Sequence, residues 1–437
     1  MTTPPAALAL ARSILDSPRL AGVVTVAAVG VAVGAQLLVR LVGWAGLIGM
    51  LVVLVALLAG MAWVRRQEFR WLAILPVSLV AFVGWASVSV VFSNYRGATV
   101  TGVAYLLAFT AIGIGISLVR DTIQIVRAFG DVFRAALVVS LALEILSGVL
   151  IDMPLPFLDI QGDLAEFGPI QGIMGSRNQL GLLALLAVIT FGTELRTRSV
   201  SRQLGIGSLV LGAAGVLLSR SPVVSAVFVA VCLAVAALYL LRRISPERRR
   251  FWQLALLAAA IVLAIVAWLV RSPLIALFSA NSDLSYRLAL WRRILAYVPQ
   301  NPLEGWGWVG YWRPDVLPFP IFTIAGEREP TSAVNAYLDV LFQLGAIGIV
   351  IFVGLVLLTF TRSWLLAGRR RSTVFTWPAL VLVALILTSL AESSMLVEYG
   401  WLMFVVCTVK AAQELSWRRA FEVAPVADDP AEPAESA

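Results

Sequence analysis

The side chains best suited to chemistry are arginines set beside long apolar runs. The stretch GVLLSRSPVVSAVF, residues 215–228, places Arg220 with two serines and a proline between two such runs. A guanidinium is always charged, and its planar fork of donors matches the oxygens of a phosphate group. One such arginine would do no more than contact a lipid headgroup. Several that converge would form an anion site.

A second candidate stretch alternates glycine with aromatic residues. The sequence NPLEGWGWVGYW, residues 301–312, contains Trp306, Trp308, Tyr311 and Trp312. Aromatic rings stack on the apolar faces of sugars, and glycine lets a ligand approach the backbone closely. This pattern is compatible with a saccharide site. On this stretch alone, the favoured interpretation is a belt of aromatic side chains at a membrane interface.

The absent residue types narrow the possible reactions. The chain has no histidine, which excludes Ser-His-Asp and Cys-His nucleophiles and histidine-ligated zinc. Its two cysteines, Cys232 and Cys407, lie in apolar runs and indicate neither a disulfide framework nor a metal site. Glu144 falls within an apolar run, where a buried acid is either functional or paired with an arginine of another helix.

The elements that position these residues are membrane helices. Hydrophobic residues make up 60% of the 437 residues and charged residues 13%. Apolar runs of about 20 residues recur, each long enough to cross a bilayer. We predict an all-α fold, a polytopic transmembrane helical bundle of about twelve spans. The predicted spans are 20–39, 42–64, 71–92, 97–119, 134–151, 178–194, 203–219, 222–241, 251–270, 335–361, 374–391 and 399–416.

The charges predict the orientation. When the connections alternate between two sides, 23 of the 33 cationic residues fall on one side, which the positive-inside rule makes cytoplasmic. Both termini are then cytoplasmic, and the net charge of +8 reflects topology and not nucleic-acid binding. Ten arginines remain outside: Arg40, Arg96, Arg177, Arg220, Arg271, Arg287, Arg292, Arg293, Arg313 and Arg328.

The connections predict the domain organisation. Residues 1–19 form a cytoplasmic lead, 20–421 the transmembrane domain, and the Pro/Ala/acid-rich residues 422–437 a disordered cytoplasmic tail. Two extracytoplasmic loops are long, 152–177 and 271–334. The second, between spans 9 and 10, is too long for a simple turn and should be structured. It contains a predicted amphipathic surface helix with an apolar stripe of Leu288, Trp291, Leu295 and Val298.

Four segments, taken in order, resemble the O-antigen ligase/polymerase superfamily of polytopic glycan transferases. They are GSRNQLGLLALLAV, LLSRSPVVSAVFVAV, YRLALWRRILAYVPQNPLEGWGWVGYW and SAVNAYLDVLFQLGAIGIVIF. The resemblance covers roughly residues 170–360. It implies an enzyme that uses a polyprenyl-diphosphate-linked glycan at the outer face of the cytoplasmic membrane.

The resemblance also implies roles for individual residues. Arg220 and Arg287 fall where the ligases place arginines that hold the donor diphosphate, and we expect Arg177 to join them. Asn178 and Asn335 stand in the segments expected to contact the glycan or acceptor. The ligases place a histidine base before that second asparagine, whereas here Ser332, Ala333 and Val334 precede it.

A missing base leaves three possibilities. A carboxylate replaces it, for which the candidates are Asp283, Glu327 and Glu329. Otherwise the protein is a polymerase-like member with different acceptor chemistry, or it is inactive.

The main hypothesis is metal-independent transfer or polymerisation of a polyprenyl-diphosphate-linked glycan onto a saccharide or cell-wall polymer, without a cofactor. The alternatives are a transporter or flippase for lipid-linked sugars or another anionic solute, and a non-catalytic partner in envelope assembly. All three place a multi-pass protein in the lipid bilayer of the cell inner membrane.

Overall fold

The computed structural model describes residues 6–68, 76–166, 168–269, 281–324 and 329–414. Within these ranges the chain is all-α, and the β structure there is one isolated bridge between Leu155 and Ile160. The fourteen α-helices of the described chain are α1 (Ala6–Leu15), α2 (Pro18–Val33), α3 (Ala35–Val64), α4 (Val77–Phe92), α5 (Arg96–Val119), α6 (Thr122–Ile145), α7 (Arg177–Thr197), α8 (Arg202–Leu218), α9 (Pro222–Arg243), α10 (Pro246–Leu269), α11 (Asn281–Tyr297), α12 (Ala336–Arg369), α13 (Thr376–Thr388) and α14 (Glu398–Glu414).

The helix lengths agree with a polytopic helical bundle. Among the described residues, six helical segments are long and apolar enough to cross a membrane. They are Ala35–Val64, Arg96–Val119, Thr122–Ile151, Arg177–Thr197, Pro222–Arg243 and Ala336–Arg369. Shorter apolar helices, α2, α4, α8 and α13 among them, pack beside these. The number of twelve spans and the orientation stay predictions.

The first predicted helix boundary, between residues 39 and 42, falls close to a kink inside α3. The sequence suggested a break near Arg40, but α2 ends at Val33 and α3 begins at Ala35, with a kink at Gly43 where φ is 70°. Glycine adopts that φ at little cost, so the break follows the glycines and not the charge. Arg40 instead lies inside α3 and forms an ion pair with Asp159 of the loop 152–177.

Helix α6 begins at Thr122, well before the predicted start at 134. The charged residues Asp131 and Arg134 argued against a span there. Arg134 is neutralised by Glu194 of α7, with Nη1 2.7 Å from Oε2. That partner is 60 residues away in sequence, so the local pattern of charges gave no sign of it.

The predicted helix of the second long loop is present as α11, but its buried face differs from the predicted stripe. Leu290 and Ile294 are fully buried, and Arg287 is nearly so. Leu288 and Leu295 of the predicted stripe are exposed. The helix packs on the aromatic residues of its own loop, and these decide which face turns inward.

Helix α14 lies at the centre of the bundle. Every residue from Glu398 to Val409 is buried, as expected for a helix that is apolar on all sides. It packs against α5 and α12. The connection 389–397 enters its N-terminal end and carries Ala391, Glu392 and Ser393, which contact the second long loop. The bundle therefore holds this connection against the loop on one side of the molecule.

Candidate functional site

The turn SRSP joins α8 to α9 and carries Arg220. Ser221 caps α9, since its Oγ accepts a hydrogen bond from the Val224 N–H at 3.2 Å, and Pro222 takes the first helical turn. Arg220 has a φ of 46°, in the left-handed region that non-glycine residues rarely adopt. Its side chain is exposed, and within the described residues it has neither a hydrogen bond nor an ion pair.

Asn178 lies in the first turn of α7 and is fully engaged. Ser176 caps this helix by accepting from the Gln179 N–H at 3.2 Å. The Asn178 Oδ1 accepts from the Ser221 hydroxyl at 2.7 Å, and its Nδ2 donates to Glu392 Oε1 at 2.6 Å. Asn178 therefore links the start of α7 both to the SRSP turn and to the connection before α14.

Arg287 is the cation at the centre of this region. It lies in α11 with its side chain 10% exposed. Nη2 donates to Glu392 Oε1 at 2.9 Å, and Nη1 donates to the backbone carbonyls of Val334, at 3.3 Å, and of Ala391. These contacts with the described residues use three of its five N–H donors.

These hydrogen bonds form one network of four side chains, Ser221, Asn178, Glu392 and Arg287. We call it the polar network. It joins α7, α9, α11 and the connection before α14. Arg220 directly precedes Ser221, so the structure brings the turn that carries Arg220 and the helix that carries Arg287 to the same region.

The third predicted arginine has a partner of its own. Arg177 Nη2 lies 2.5 Å from Asp283 Oδ2, and both side chains are about one third exposed or more. Asp283 was a candidate base, and here it is the counterion of an arginine. Glu329, another candidate, is exposed. Glu327 lies outside the described residues, as do Arg271 and Arg328.

Asn335 has a structural role. Its Oδ1 accepts from the N–H groups of Tyr337 and Leu338, at 3.0 and 3.1 Å, so it caps α12. Its Nδ2 donates to the Leu390 carbonyl. The preceding Val334 has a φ of 51°, which is strained for a β-branched residue and is held by the Arg287 contact.

The aromatic stretch divides into buried and accessible rings. Trp308 and Trp312 are 1% and 3% exposed, so a sugar could stack on them only after the loop core had opened. Trp306 is half-buried and stacks on Phe342. Tyr311 is half-buried, and burial raises the pKa of its hydroxyl. The glycan-binding role of these residues stays a prediction, with the buried faces already used for packing.

Glu144 pairs with backbone and not with an arginine. Its Oε1 accepts from the N–H groups of Gln171 and Gly172, each at 2.7 Å, and its side chain is buried. Ser140 Oγ accepts from the next N–H, that of Ile173. Glu144 thus fixes the backbone just before Ser176, Arg177 and Asn178.

The reasoning from sequence missed Glu392, the acid of the polar network. It stands in the short connection LAESSM between two apolar helices. An ionisable residue in so short a link between two apolar helices is a sequence signal of a functional site. Both of its hydrogen bonds in the network use Oε1, and Oε2 has no hydrogen bond within the part of the chain that the structure describes.

This arrangement can be compared with known protein families. A search among curated proteins finds no match. The family model described as O-antigen ligase matches residues 207–353, which run from α8 into α12 and include Arg220, Arg287 and the aromatic stretch. Together with the apolar helices, this match identifies an integral membrane protein. The resemblance drawn from the sequence is confirmed over residues 207–353, which match the O-antigen ligase family model.

Proposed function

We propose that this protein transfers a glycan from a polyprenyl-diphosphate carrier to a hydroxyl group of an acceptor saccharide or cell-wall polymer, at the outer face of the cytoplasmic membrane. The observation that carries the proposal is the polar network. It brings the Arg220 turn and Arg287 together inside the segment that matches O-antigen ligase.

The two arginines differ in a way that suits a diphosphate. Arg287 is fixed by three protein acceptors, so it is already oriented, and two of its N–H donors have no acceptor among the described residues. Arg220 is exposed and has no partner among the described residues, which suits an arginine that closes on an anion. Fixed donors stabilise the charge that develops on a leaving group without reorganising during the reaction.

The reaction follows from these positions. The acceptor oxygen attacks the anomeric carbon, and the bond from that carbon to the diphosphate oxygen breaks. The electron pair of this bond leaves with the lipid diphosphate, where Arg220 and Arg287 stabilise the added charge. The proton of the acceptor hydroxyl passes to a base.

Glu392 is the carboxylate best placed to be that base. Its Oε1 is held by Asn178 and Arg287, which orient the group and leave Oε2 available. Carboxylates act as general bases when they are held within hydrogen-bond reach of the acceptor hydroxyl. Arg287 contacts both Glu392 and the carbonyl of Val334. Val334 belongs to the segment where the ligases have their histidine, so Arg287 links Glu392 to that segment.

The test is glycan transfer by purified protein in lipid nanodiscs, with a polyprenyl-diphosphate-linked oligosaccharide as donor. Arg220→Ala and Arg287→Ala should each lower kcat by about 100- to 1,000-fold, the usual effect of removing one such donor. Arg287→Ala also removes structural hydrogen bonds, so Arg287→Lys accompanies it and folding is monitored by size-exclusion chromatography.

The matched control is Arg313→Ala. Arg313 is another arginine of the same predicted side, exposed and paired with Asp315, and its loss should not alter transfer. Unchanged rates for folded Arg220→Ala and Arg287→Ala would overturn the proposed donor site. Flipping of the donor lipid without release of its diphosphate would show a transporter instead.

A further inference from the structure

A crevice lies between α5, the N-terminal end of α14 and the aromatic loop. Its volume is about 220 Å³, part of which is open to solvent. The enclosed part is narrow, with room for about one water-sized group. Its lining includes Gly102, Tyr105, Trp308, Gly310, Glu398 and Trp401.

The acid of this crevice is Glu398, which is 5% exposed and has a φ of 48°. Its Oε1 accepts from Gln36 Nε2 at 2.7 Å and from the Tyr105 hydroxyl at 3.2 Å. Both bonds use Oε1, so the acceptor positions of Oε2 receive no hydrogen bond from the described residues.

The donor of the crevice is the indole of Trp308. This side chain is 1% exposed, and its Nε1–H has no hydrogen-bond partner among the described residues. Trp401, which lines the same crevice, gives its Nε1–H to the Thr110 hydroxyl at 2.8 Å. A buried donor without a partner is costly and calls for an explanation, and a bound ligand atom supplies one.

Glu398 and Trp308 both line this small space, the first with an oxygen to which no described residue donates and the second with an N–H that has no acceptor among the described residues. A hydroxyl group both donates and accepts one hydrogen bond, and it has the size of the space. Aromatic rings border it, as they would border the carbon atoms next to that hydroxyl. We propose that the crevice is a subsite for one hydroxyl of the glycan, which donates to Glu398 and accepts from Trp308 Nε1. This inference rests on the proposed function.

The crevice connects with the polar network through the chain itself. Glu392 and Glu398 are six residues apart in the connection before α14, so they are separated by at most about 21 Å. Ser393 lies between them and donates a hydrogen bond to Asp339. Asp339 also accepts from Gln343 Nε2. The Gln343 side-chain oxygen in turn accepts from the backbone N–H groups of Val309 and Gly310. A glycan bound at the network could therefore extend into the crevice.

Two variants test the subsite. Trp308→Phe keeps the ring and removes the N–H donor, and Glu398→Gln keeps the shape and removes the charge. Each should raise the KM for the donor or the acceptor by about three- to tenfold, the effect of one lost hydrogen bond, with kcat changed less than twofold. The control is Trp377→Phe, which removes a buried indole N–H that bonds to Thr190 away from the crevice.

Binding is also measured without chemistry, by saturation-transfer NMR with the free oligosaccharide released from the donor lipid. Loss of the signal in Trp308→Phe and Glu398→Gln, but not in Trp377→Phe, supports the subsite even if the wild type shows no transfer. In that case the proposed function fails alone. If transfer occurs, and both crevice variants match Trp377→Phe in KM and in NMR signal, the crevice holds only a structural water and the inference is overturned.

Discussion

Two buried arginine–glutamate pairs, Arg134–Glu194 and Arg287–Glu392, have different surroundings. In the first, Arg134 Nη1 donates to Glu194 Oε2 at 2.7 Å and Nη2 donates to Oε1 at 3.2 Å, and the acid is fully buried. In the second, a single oxygen of Glu392 is shared by Arg287 and Asn178, and the acid keeps 14% of its side-chain surface exposed. A pair that saturates itself has nothing left for a ligand, whereas a shared and open pair does.

The Arg134–Glu194 pair is therefore structural. It joins α6 to α7, and Arg134 also contacts Asp131 and Ser208. Gly130 packs against the Glu194 carboxylate so closely that a Cβ would lie 2.4 Å from its Oε1. The Arg287–Glu392 pair instead belongs to a network between loops and helix ends, where sites for reaction are usually found.

The largest effect on stability is expected for Glu194→Ala. It leaves the Arg134 guanidinium buried without its main partner, which typically costs about 3–5 kcal/mol. We expect the free energy of unfolding, measured by SDS titration in mixed micelles, to fall by that amount. Asp131→Ala is the control, because Asp131 is 58% exposed and its pair should contribute less than about 1 kcal/mol.

Replacing both Arg134 and Glu194 tests whether the pair is structural. Arg134→Met combined with Glu194→Leu removes both charges and should recover most of the lost stability, since apolar residues of similar volume often substitute for a buried pair. A double variant as unstable as Glu194→Ala would contradict the structural interpretation.

For Glu392→Gln the expectation is reversed, with a large effect on rate and a small one on stability. Glutamine keeps an oxygen for Asn178 and Arg287 but cannot accept the proton. We expect kcat to fall about 100-fold or more, the usual contribution of a general base. The free energy of unfolding should change by no more than about 1–2 kcal/mol.

The control is Glu166→Gln, an exposed acid of the loop 152–177 that should leave transfer unchanged. Full activity of folded Glu392→Gln would rule out Glu392 as the base. The search for the base would then return to Asp283, Glu327 and Glu329.

Both pairs join residues that are far apart in the sequence, and this explains which features the sequence could predict. Apolar runs located helices such as α7, whose start at Arg177 is one residue from the predicted start, because membrane spans follow from local hydropathy. The start of α6 and the role of Glu392 could not be found in this way. Each depends on a partner far along the chain, Glu194 for Arg134 and Arg287 for Glu392.

For the candidate site, the arginines were the predictable part. Arg220 and Arg287 stood out because cations are selected against on the outer side of a membrane. Asn335 could have been recognised as a helix cap from its place before an apolar run. The burial of Trp308 and Trp312 had no local signal, because the rings that cover them, Phe342 among them, come from another helix.

Glu144 tests whether the polar network depends on its supports. In Glu144→Ala two buried N–H groups lose their acceptor, and each such loss costs about 1–3 kcal/mol. The backbone before α7 should shift, and kcat should fall about tenfold as Asn178 moves. Glu144→Gln keeps an acceptor oxygen and should restore most of the rate. Equal activity of Glu144→Ala and the wild type would show that this support is dispensable.

The smallest effect on stability is expected at Arg220, and there the contrast between a free and a paired arginine is sharpest. Its φ of 46° disfavours any side chain, while glycine adopts this conformation without strain. Because Arg220 has no partner among the described residues, Arg220→Gly should leave the free energy of unfolding unchanged or raise it by up to about 1 kcal/mol, although transfer is lost. Arg287→Lys breaks hydrogen bonds to three acceptors and should lower both the free energy of unfolding and the rate of glycan transfer. If Arg220→Gly were the less stable of the two, Arg220 would serve the fold, and its strained backbone would need another explanation than anion binding.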